Sequence, residues 1–202
     1  GRPGRLAGRD PVAAAGVESA IGTAPGKAMA DDPYPRLEHL GDATAFVDRI
    51  LEIIEHIHLF EDFERGEIAV LARYLRCYRA PAGAAIIREG HPGDYMVLVI
   101  SGLCEIVKAD PDGSARRIGL AGPGKMLGEM SMIDGQPRFA SCNVVEETVF
   151  ALLDRDGLSR IIATEPRLGI KLLMELVLLL SQRLRAASGK LVQHFDPGPD
   201  VS

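Results

Sequence analysis

Gly128-Glu-Met-Ser-Met-Ile-Asp-Gly-Gln-Pro-Arg-Phe-Ala-Ser141 is the most informative segment of this 202-residue chain. A helix-compatible run is followed by a turn, and Arg138 stands directly before a strand pattern. Backbone N–H groups at the start of the short helix, around Met130 and Ser131, have no acceptor within the helix and can point at an anion. Gly128 lets the backbone approach closely, and the planar guanidinium of Arg138 suits two phosphate oxygens. The segment therefore predicts a cradle for a phosphate group.

Glu129 predicts a second kind of contact in the same segment. An ionised carboxylate only accepts hydrogen bonds, so it suits a hydroxyl group rather than a phosphate. A charged acceptor beside an arginine–phosphate site is what a ribose phosphate needs.

Around this segment the chain has the pattern of an antiparallel β-structure. Between Arg76 and Asp154, short apolar runs alternate with turns that contain glycine or proline, and Pro111–Gly113 is a hairpin signal. The predicted strands cover residues 84–88, 95–100, 103–108, 116–120, 141–146 and 148–153. Strands of this length at this spacing are typical of an antiparallel sandwich or barrel.

Helical patterns flank the predicted strands on both sides. Apolar residues recur at three- and four-residue steps over 43–58 and 65–75, which predicts two helices before the barrel. After the barrel, a short helix ends near Glu165, and a long helix runs from about Arg167 to Ser188, with Gly189 as its expected stop.

The composition is that of an ordinary globular protein, with 47% hydrophobic and 25% charged residues and a net charge of −5. We expect residues 1–41 to be a flexible or vector-derived segment and residues 189–202 to be a tail. The folded domain is expected over 42–188, with the barrel at about 76–154 and the closing helices at about 155–188. The acidic balance argues against direct nucleic-acid binding. The longest apolar run is too short to span a membrane, and we expect a cytoplasmic protein.

The sequence resembles the cyclic-nucleotide-binding domain family, the sensor domains of the catabolite activator protein and of the regulatory subunits of protein kinase A. Gly128-Glu129-Met130-Ser131 and Arg138-Phe139-Ala140-Ser141 match the two halves of that family's phosphate-binding cassette, at the expected separation. The resemblance covers about Leu59 to Ser188. It implies an α+β, mainly β fold: an antiparallel β jelly-roll, or double-stranded β-helix, flanked by N-terminal helices and a long C-terminal helix.

The resemblance also implies roles for individual residues. Glu129 would bind the ribose 2′-hydroxyl and Arg138 the cyclic phosphate, with further contacts from the backbone N–H groups of Ser131 and Phe139. The base pocket would be lined by apolar side chains, and a hydroxyl on the long helix would contact the base. The full predicted site comprises Gly128, Glu129, Met130, Ser131, Arg138, Phe139, Ser141, Ile106, Ile118, Leu127 and Ser188.

Phe139 departs from the family pattern, which commonly has a small or hydroxylated residue there. Because a hydroxyl at this position often helps to select guanine, its absence favours cyclic AMP over cyclic GMP. The phenyl ring either stacks near the base or partly fills the site. An alternative without any ligand is that Glu129 and Arg138 form an internal salt bridge in a domain that acts only as an interaction module.

The long helix is apolar nearly all round over Leu172–Leu180, so it needs cover on more than one side. One interpretation is a helix pinned between the sheet and neighbouring helices. The other is a seam between two copies of the chain, which would make a homodimer.

The sequence gives little support for an enzyme. His56 and His58 have the spacing of a cupin metal ligand pair, but they lie in a helical pattern, where residues two apart point in different directions. We expect no metal, no cofactor and no catalytic residues. The nearer alternative is the sensor part of a transcription regulator, truncated before its DNA-binding domain. In the main interpretation, a regulatory module that binds a cyclic nucleotide, ligand binding would move the C-terminal helices and signal to a partner, such as a protein effector.

Overall fold

The computed structural model describes residues 32–55 and 62–195. Contacts divide the chain into residues 1–35 and 36–202, and the fold below is that of the second unit. Seven strands form one antiparallel sheet that rolls up into the predicted jelly-roll. Their bounds are Glu38–Asp42 (β1), Arg76–Ala80 (β2), Ala85–Ile87 (β3), Tyr95–Ala109 (β4), Ala115–Ala121 (β5), Met126–Leu127 (β6) and Ser141–Asp154 (β7).

The order of strands along the main path is β1-β2-β7-β4-β5, and β3 and β6 pair with β7 and β4. The long strands β4 and β7 pair along most of their length, from Tyr95 opposite Asp154 to Val107 opposite Ser141. The predicted hairpin is confirmed, since β4 and β5 are adjacent antiparallel strands joined across residues 110–114.

Two predicted strand pairs are single strands in the structure, because β4 runs through Gly102 and β7 through Glu147. Gly102 has a φ of 88°, and a side chain there would overlap the backbone at Glu147 and Thr148. The glycine is therefore a site of close approach between β4 and β7, with local shifts of register, and not a turn.

The helices lie before and after the barrel. A 3-10 turn at Ala43–Phe46 leads into α1, and Asp42 caps this turn by accepting a hydrogen bond from the backbone N–H of Thr44 at 3.1 Å. The helices are Val47–Ile54 (α1), Arg65–Ala72 (α2), Glu129–Asp134 (α3), Arg155–Thr164 (α4) and Pro166–Phe195 (α5). The apolar core joins α1, α2 and α5 to one face of the sheet.

Two predicted boundaries need correction. The expected flexible segment ended at residue 41, but β1 begins at Glu38 because it pairs with β2. The tail was expected from Gly189, but α5 continues to Phe195. A glycine within a helix costs only about 1 kcal/mol relative to alanine and does not by itself end the helix. Residues 1–31 and 196–202, like His56 and His58, lie outside the described residues.

One face of the long helix is packed in the core, as the first interpretation of its apolar run expects, and the seam between two copies stays a prediction. Leu172, Leu176 and Leu179 are buried in the core. The opposite side of α5 carries large apolar side chains that are exposed, at Ile170, Leu173, Met174, Val177, Leu178, Leu184 and Leu191.

Candidate functional site

The cassette, residues 128–141, is shaped by glycines at both ends of the short helix α3. Gly128, before the first residue of α3, has a φ of 81°, and Gly135, after its last, has a φ of 71°. Both lie in the left-handed region that glycine tolerates best. The chain therefore turns sharply into and out of α3, and this turns the start of the helix and Arg138 towards the same place.

Arg138 is buried, with 3% of its surface exposed. Its Nη1 donates to the carbonyl oxygen of Gly128 at 2.8 Å, and its guanidinium lies over the ring of Tyr95, 4.3 Å from the centroid. Its Nη2 is also buried and has no hydrogen-bond partner among the described residues. Arg138 thus presents a buried, incompletely satisfied cation.

Two glycines make the slot that holds this guanidinium. A Cβ atom at Gly128 would overlap Nη1, and a Cβ atom at Gly93, in the loop before β4, would overlap Nε and Nη2. The slot exists only because neither residue has a side chain. Gly93 and Tyr95 were missed from the sequence. Nothing in the pattern of residues 88–95 showed that they would contact the guanidinium of Arg138.

Glu129, the first residue of α3, is completely buried. Its Oε1 accepts a hydrogen bond from Nη1 of Arg183 on α5, and the Nη2 of Arg183 donates to the carbonyl oxygen of Met126. Its Oε2 is buried and has no partner among the described residues. The alternative of a Glu129–Arg138 salt bridge is therefore wrong, because the partner of Glu129 is an arginine from the closing helix.

Arg183 was missed from the sequence, although it continues the three- and four-residue spacing of the buried residues Leu172, Leu176 and Leu179 along α5. It lies 54 residues from Glu129 along the chain, and only the docking of α5 brings the two together.

The other predicted site residues fall into two groups. Ser131 and Leu127 are buried in the cassette region, and Ile106, on β4, is partly buried with its Cδ1 against Gly119 of β5. Met130, Phe139, Ile118 and Ser188 are exposed. The base contact expected of Ser188 therefore stays a prediction.

Ser141, also part of the predicted site, is hydrogen-bonded within the protein. Its hydroxyl accepts a hydrogen bond from the backbone N–H of Glu89 at 3.0 Å. This bond ties the loop before β4 to the end of the cassette.

Phe139 resolves one question left open by the sequence. Its ring does not fill the site, since 59% of the residue is exposed. The ring instead lies beneath the ammonium group of Lys108, whose Nζ is 4.6 Å from the centroid.

A further arginine connects the cassette to the helices that follow the barrel. Arg155, the first residue of α4, donates from Nε and Nη2 to the carbonyl oxygen of Met132, at 2.9 and 2.6 Å. Its Nη2 also reaches the carbonyl oxygen of Ser131 at 3.4 Å. These carbonyl groups end α3, where a positive charge is favourable. The cassette is thus bonded to α4 through Arg155 and to α5 through Arg183.

The described residues contain no cluster of three or more histidine, cysteine, aspartate or glutamate side chains that could hold a metal ion. None of the described helices is long and apolar enough to cross a membrane. Cys77, Cys104 and Cys142 are buried free thiols.

The comparisons with known proteins agree with this geometry. The profile of the cyclic nucleotide-binding domain family matches residues 78–165. A crystal structure of a cyclic nucleotide-binding domain from Methylobacillus flagellatus is 40% identical, with a TM-score of 0.73, over 82% of this chain and 93% of that one. The chain belongs to the cyclic nucleotide-binding domain family.

Two curated relatives are regulators. The CRP-like cAMP-activated global transcriptional regulator of Mycobacterium tuberculosis is 34% identical over 140 residues, which is 69% of this chain and 61% of the regulator. The cAMP-dependent protein kinase regulatory subunit of Aspergillus fumigatus is 36% identical over 112 residues, 54% of this chain and 26% of the subunit. The chain thus matches about three fifths of the first regulator and about a quarter of the second.

Proposed function

We propose that this chain is a regulatory module that binds a cyclic mononucleotide, with cyclic AMP preferred, and that the bound nucleotide moves the C-terminal helices. The observation that carries the proposal is the buried guanidinium of Arg138, whose Nη2 has no partner among the described residues. A buried cation is costly unless an anion compensates it. The singly charged cyclic phosphate supplies that anion, and an arginine can bind two of its oxygens at once.

Glu129 supports a ribose next to this phosphate. Its Oε2 is a buried acceptor without a partner among the described residues, and it belongs to the residue that begins α3. A ribose hydroxyl can donate to it, and an unsatisfied buried acceptor gains most from such a bond. The two unsatisfied atoms, a donor and an acceptor, match a ribose phosphate.

The preference for cyclic AMP rests on two lines of support. Phe139 offers no hydroxyl to the exocyclic amino group of guanine. The regulators from Mycobacterium tuberculosis and Aspergillus fumigatus carry cyclic AMP in their names. Cyclic GMP is the alternative ligand.

The movement of the helices is supported by Arg155 and Arg183, because they bond α4 and α5 directly to the cassette. Glu165, between the two helices, has a non-helical backbone and precedes Pro166, so the movement would occur at this joint. Gly157 does not supply a second joint, because it is packed within the first turn of α4, where a Cβ atom would lie 2.9 Å from Leu153. A ligand shifts such an equilibrium only through its different affinities for the two arrangements.

We also propose that the chain forms a homodimer through the exposed side of α5. Ile170, Met174, Val177, Leu184 and Leu191 follow one another at three-, four- and seven-residue steps and are all exposed. Large apolar side chains in such a stripe are typical of helix–helix seams.

The receiver of the signal would be a protein effector in the cytoplasm, or a DNA-binding domain of the same regulator.

Calorimetric titration with cyclic AMP, cyclic GMP and 5′-AMP tests the ligand. We expect cyclic AMP to bind most tightly and 5′-AMP most weakly, since the open phosphate carries an extra charge and lacks the ring geometry. Absence of heat and of any thermal shift with both cyclic nucleotides at millimolar concentration would overturn the proposal.

Hydrogen exchange then tests the movement, because protection should change over residues 154–188 as well as in the cassette.

A further inference from the structure

Phe139 is an exposed aromatic side chain directly beside the buried Arg138. Lys108 nevertheless makes two contacts with it, one to the ring and one to the backbone. The Nζ of Lys108 lies 4.6 Å from the ring centroid and also donates a hydrogen bond to the carbonyl oxygen of Phe139 at 2.7 Å. The ring is therefore oriented by its own backbone and by a cation above one of its faces.

Glu89 fixes Lys108 in turn. Its Oε1 accepts from Nζ of Lys108 at 2.6 Å, and its Oε2 accepts from the backbone N–H of Ala109 at 2.9 Å. The hydrogen bond from Lys108 holds the pKa of Glu89 below its ordinary value, so the carboxylate of Glu89 is charged at neutral pH. Together with the bond from Glu89 to Ser141, these contacts join three segments of the chain around one exposed ring.

The position of Lys108 on β4 places the ring next to the less buried end of one face of this strand. Cys104, Ile106 and Lys108 alternate along the strand and so share one face. Cys104 is fully buried, Ile106 is partly buried, and the side chain of Lys108 is 34% exposed. Burial thus decreases from Cys104 towards Lys108. Ile106, the residue expected to line the base pocket, lies between these two.

We propose that Phe139, oriented by Lys108 and Glu89, is a platform on which the base of the bound nucleotide stacks, and that it makes the site selective for purines over pyrimidines. This inference rests on the proposed function, since it needs a cyclic nucleotide anchored at Arg138. The ammonium of Lys108 covers one face of the ring, and the large exposed area leaves room for a base. A purine has two fused rings and overlaps a phenyl ring over a larger area than a pyrimidine does, so stacking favours it.

The test compares cyclic AMP with cyclic CMP, which share the ribose phosphate and differ only in the base. Titration of the parent chain comes first. Binding of neither nucleotide would overturn the proposed function and the platform with it. If the parent binds both equally, only the platform is overturned.

Phe139→Leu then removes the aromatic ring but keeps an apolar side chain. We expect its affinity for cyclic AMP to fall roughly fivefold to tenfold, the lower part of the range for one stacked base because leucine keeps some apolar contact, and its affinity for cyclic CMP to change by less than about twofold. Lys108→Met keeps the apolar stem but releases the ring, and we expect a smaller loss in the same direction. Lys125→Met, at an exposed lysine outside this cluster, is the control and should change neither affinity. An equal loss for both nucleotides, or no loss for either, in Phe139→Leu would show that the ring does not contact the base.

Discussion

Arg183, on the closing helix α5, is bonded to the buried carboxylate of Glu129, at the start of the cassette helix α3. The side chain of Glu129 is 1% exposed and that of Arg183 is 40% exposed. The carboxylate is therefore buried, and the guanidinium contacts it from the protein surface. The negative charge at the expected ribose position is therefore compensated by α5. A movement of α5 away from the barrel would leave that charge buried and alone.

The first prediction follows from this pair. Arg183→Met should lower the free energy of unfolding by about 1–3 kcal/mol, because a buried carboxylate loses its charged partner while water still reaches part of the site. Glu129→Gln should recover much of that loss when it is combined with Arg183→Met. Urea unfolding of the two single variants and the double variant measures the coupling. Strictly additive losses would show that the two residues do not stabilise each other.

The second prediction concerns Arg138. Arg138→Ala should weaken the binding of cyclic AMP by about 2–4 kcal/mol, since the phosphate loses a buried, charged partner. Glu129→Ala should cost less, about 1–3 kcal/mol, because it loses a bond to a neutral hydroxyl. Arg160→Ala, on the exposed side of α4, is the matched arginine control for calorimetry. If both cassette variants bind like the parent chain, the nucleotide site lies elsewhere.

Arg138 also predicts an effect without any ligand. Because its guanidinium is buried and incompletely satisfied, Arg138→Met should leave the midpoint of thermal unfolding unchanged or raise it. A clear decrease would mean that the guanidinium stabilises the fold.

The third prediction concerns the glycine slot. Gly93→Ala should weaken nucleotide binding by about 1–3 kcal/mol, the usual cost of forcing a methyl group into filled space, because the new Cβ atom displaces the guanidinium of Arg138. Gly66→Ala, in α2, adds the same methyl group where no atom lies within 4 Å, and should leave affinity unchanged. Titration of both variants with cyclic AMP makes the comparison. Equal affinities would mean that Arg138 keeps its place without the slot.

The fourth prediction concerns α5. Val177→Glu should give monomers, since it puts a charge in the middle of the exposed apolar stripe. Leu179→Glu should instead destabilise the fold, because Leu179 belongs to the core. Gln182→Glu, at an exposed polar position on the same helix, is the control. Sedimentation at about 100 μM reports the state of each, and a parent chain that is monomeric at that concentration contradicts the dimer.

The fifth prediction concerns pH. Glu67, on α2, is paired with Lys171 of α5 at 2.6 Å, and hydrogen bonds from Lys171 and from the backbone of Glu64 hold the pKa of its carboxyl below the ordinary value of 4.5. A lowered pKa gives stability that is fully present above the ordinary value and is lost as pH falls through the lowered one. Glu67→Gln should therefore be less stable than the parent near pH 7, by about 1 kcal/mol or less, and equal to it at low pH. Denaturant titrations across this range check the sign.

The site residues that the sequence alone groups together are those that lie close along the chain. Glu129 and Arg138 lie within ten residues of each other, and the glycines at 128 and 135 shape the segment between them. The two longest strands were each split in two, since Gly102 resembles a turn until the opposite strand is known. Arg183, Gly93 and Lys108 were missed because long-range packing, rather than any pattern in their neighbourhood, brings them to the cassette.

Helix α5 has two different faces. Arg183 on one face is bonded to Glu129, and the other face carries an exposed apolar stripe. In the proposed function, a nucleotide changes how α5 sits on the barrel, and the proposed dimer forms through the outer face of the same helix. The two equilibria are then thermodynamically linked, and the linkage is reciprocal. If the nucleotide changes the association constant of two chains by some factor, association of the chains changes the affinity for the nucleotide by the same factor. The apparent sensitivity of this sensor would accordingly depend on how much of the protein a cell contains.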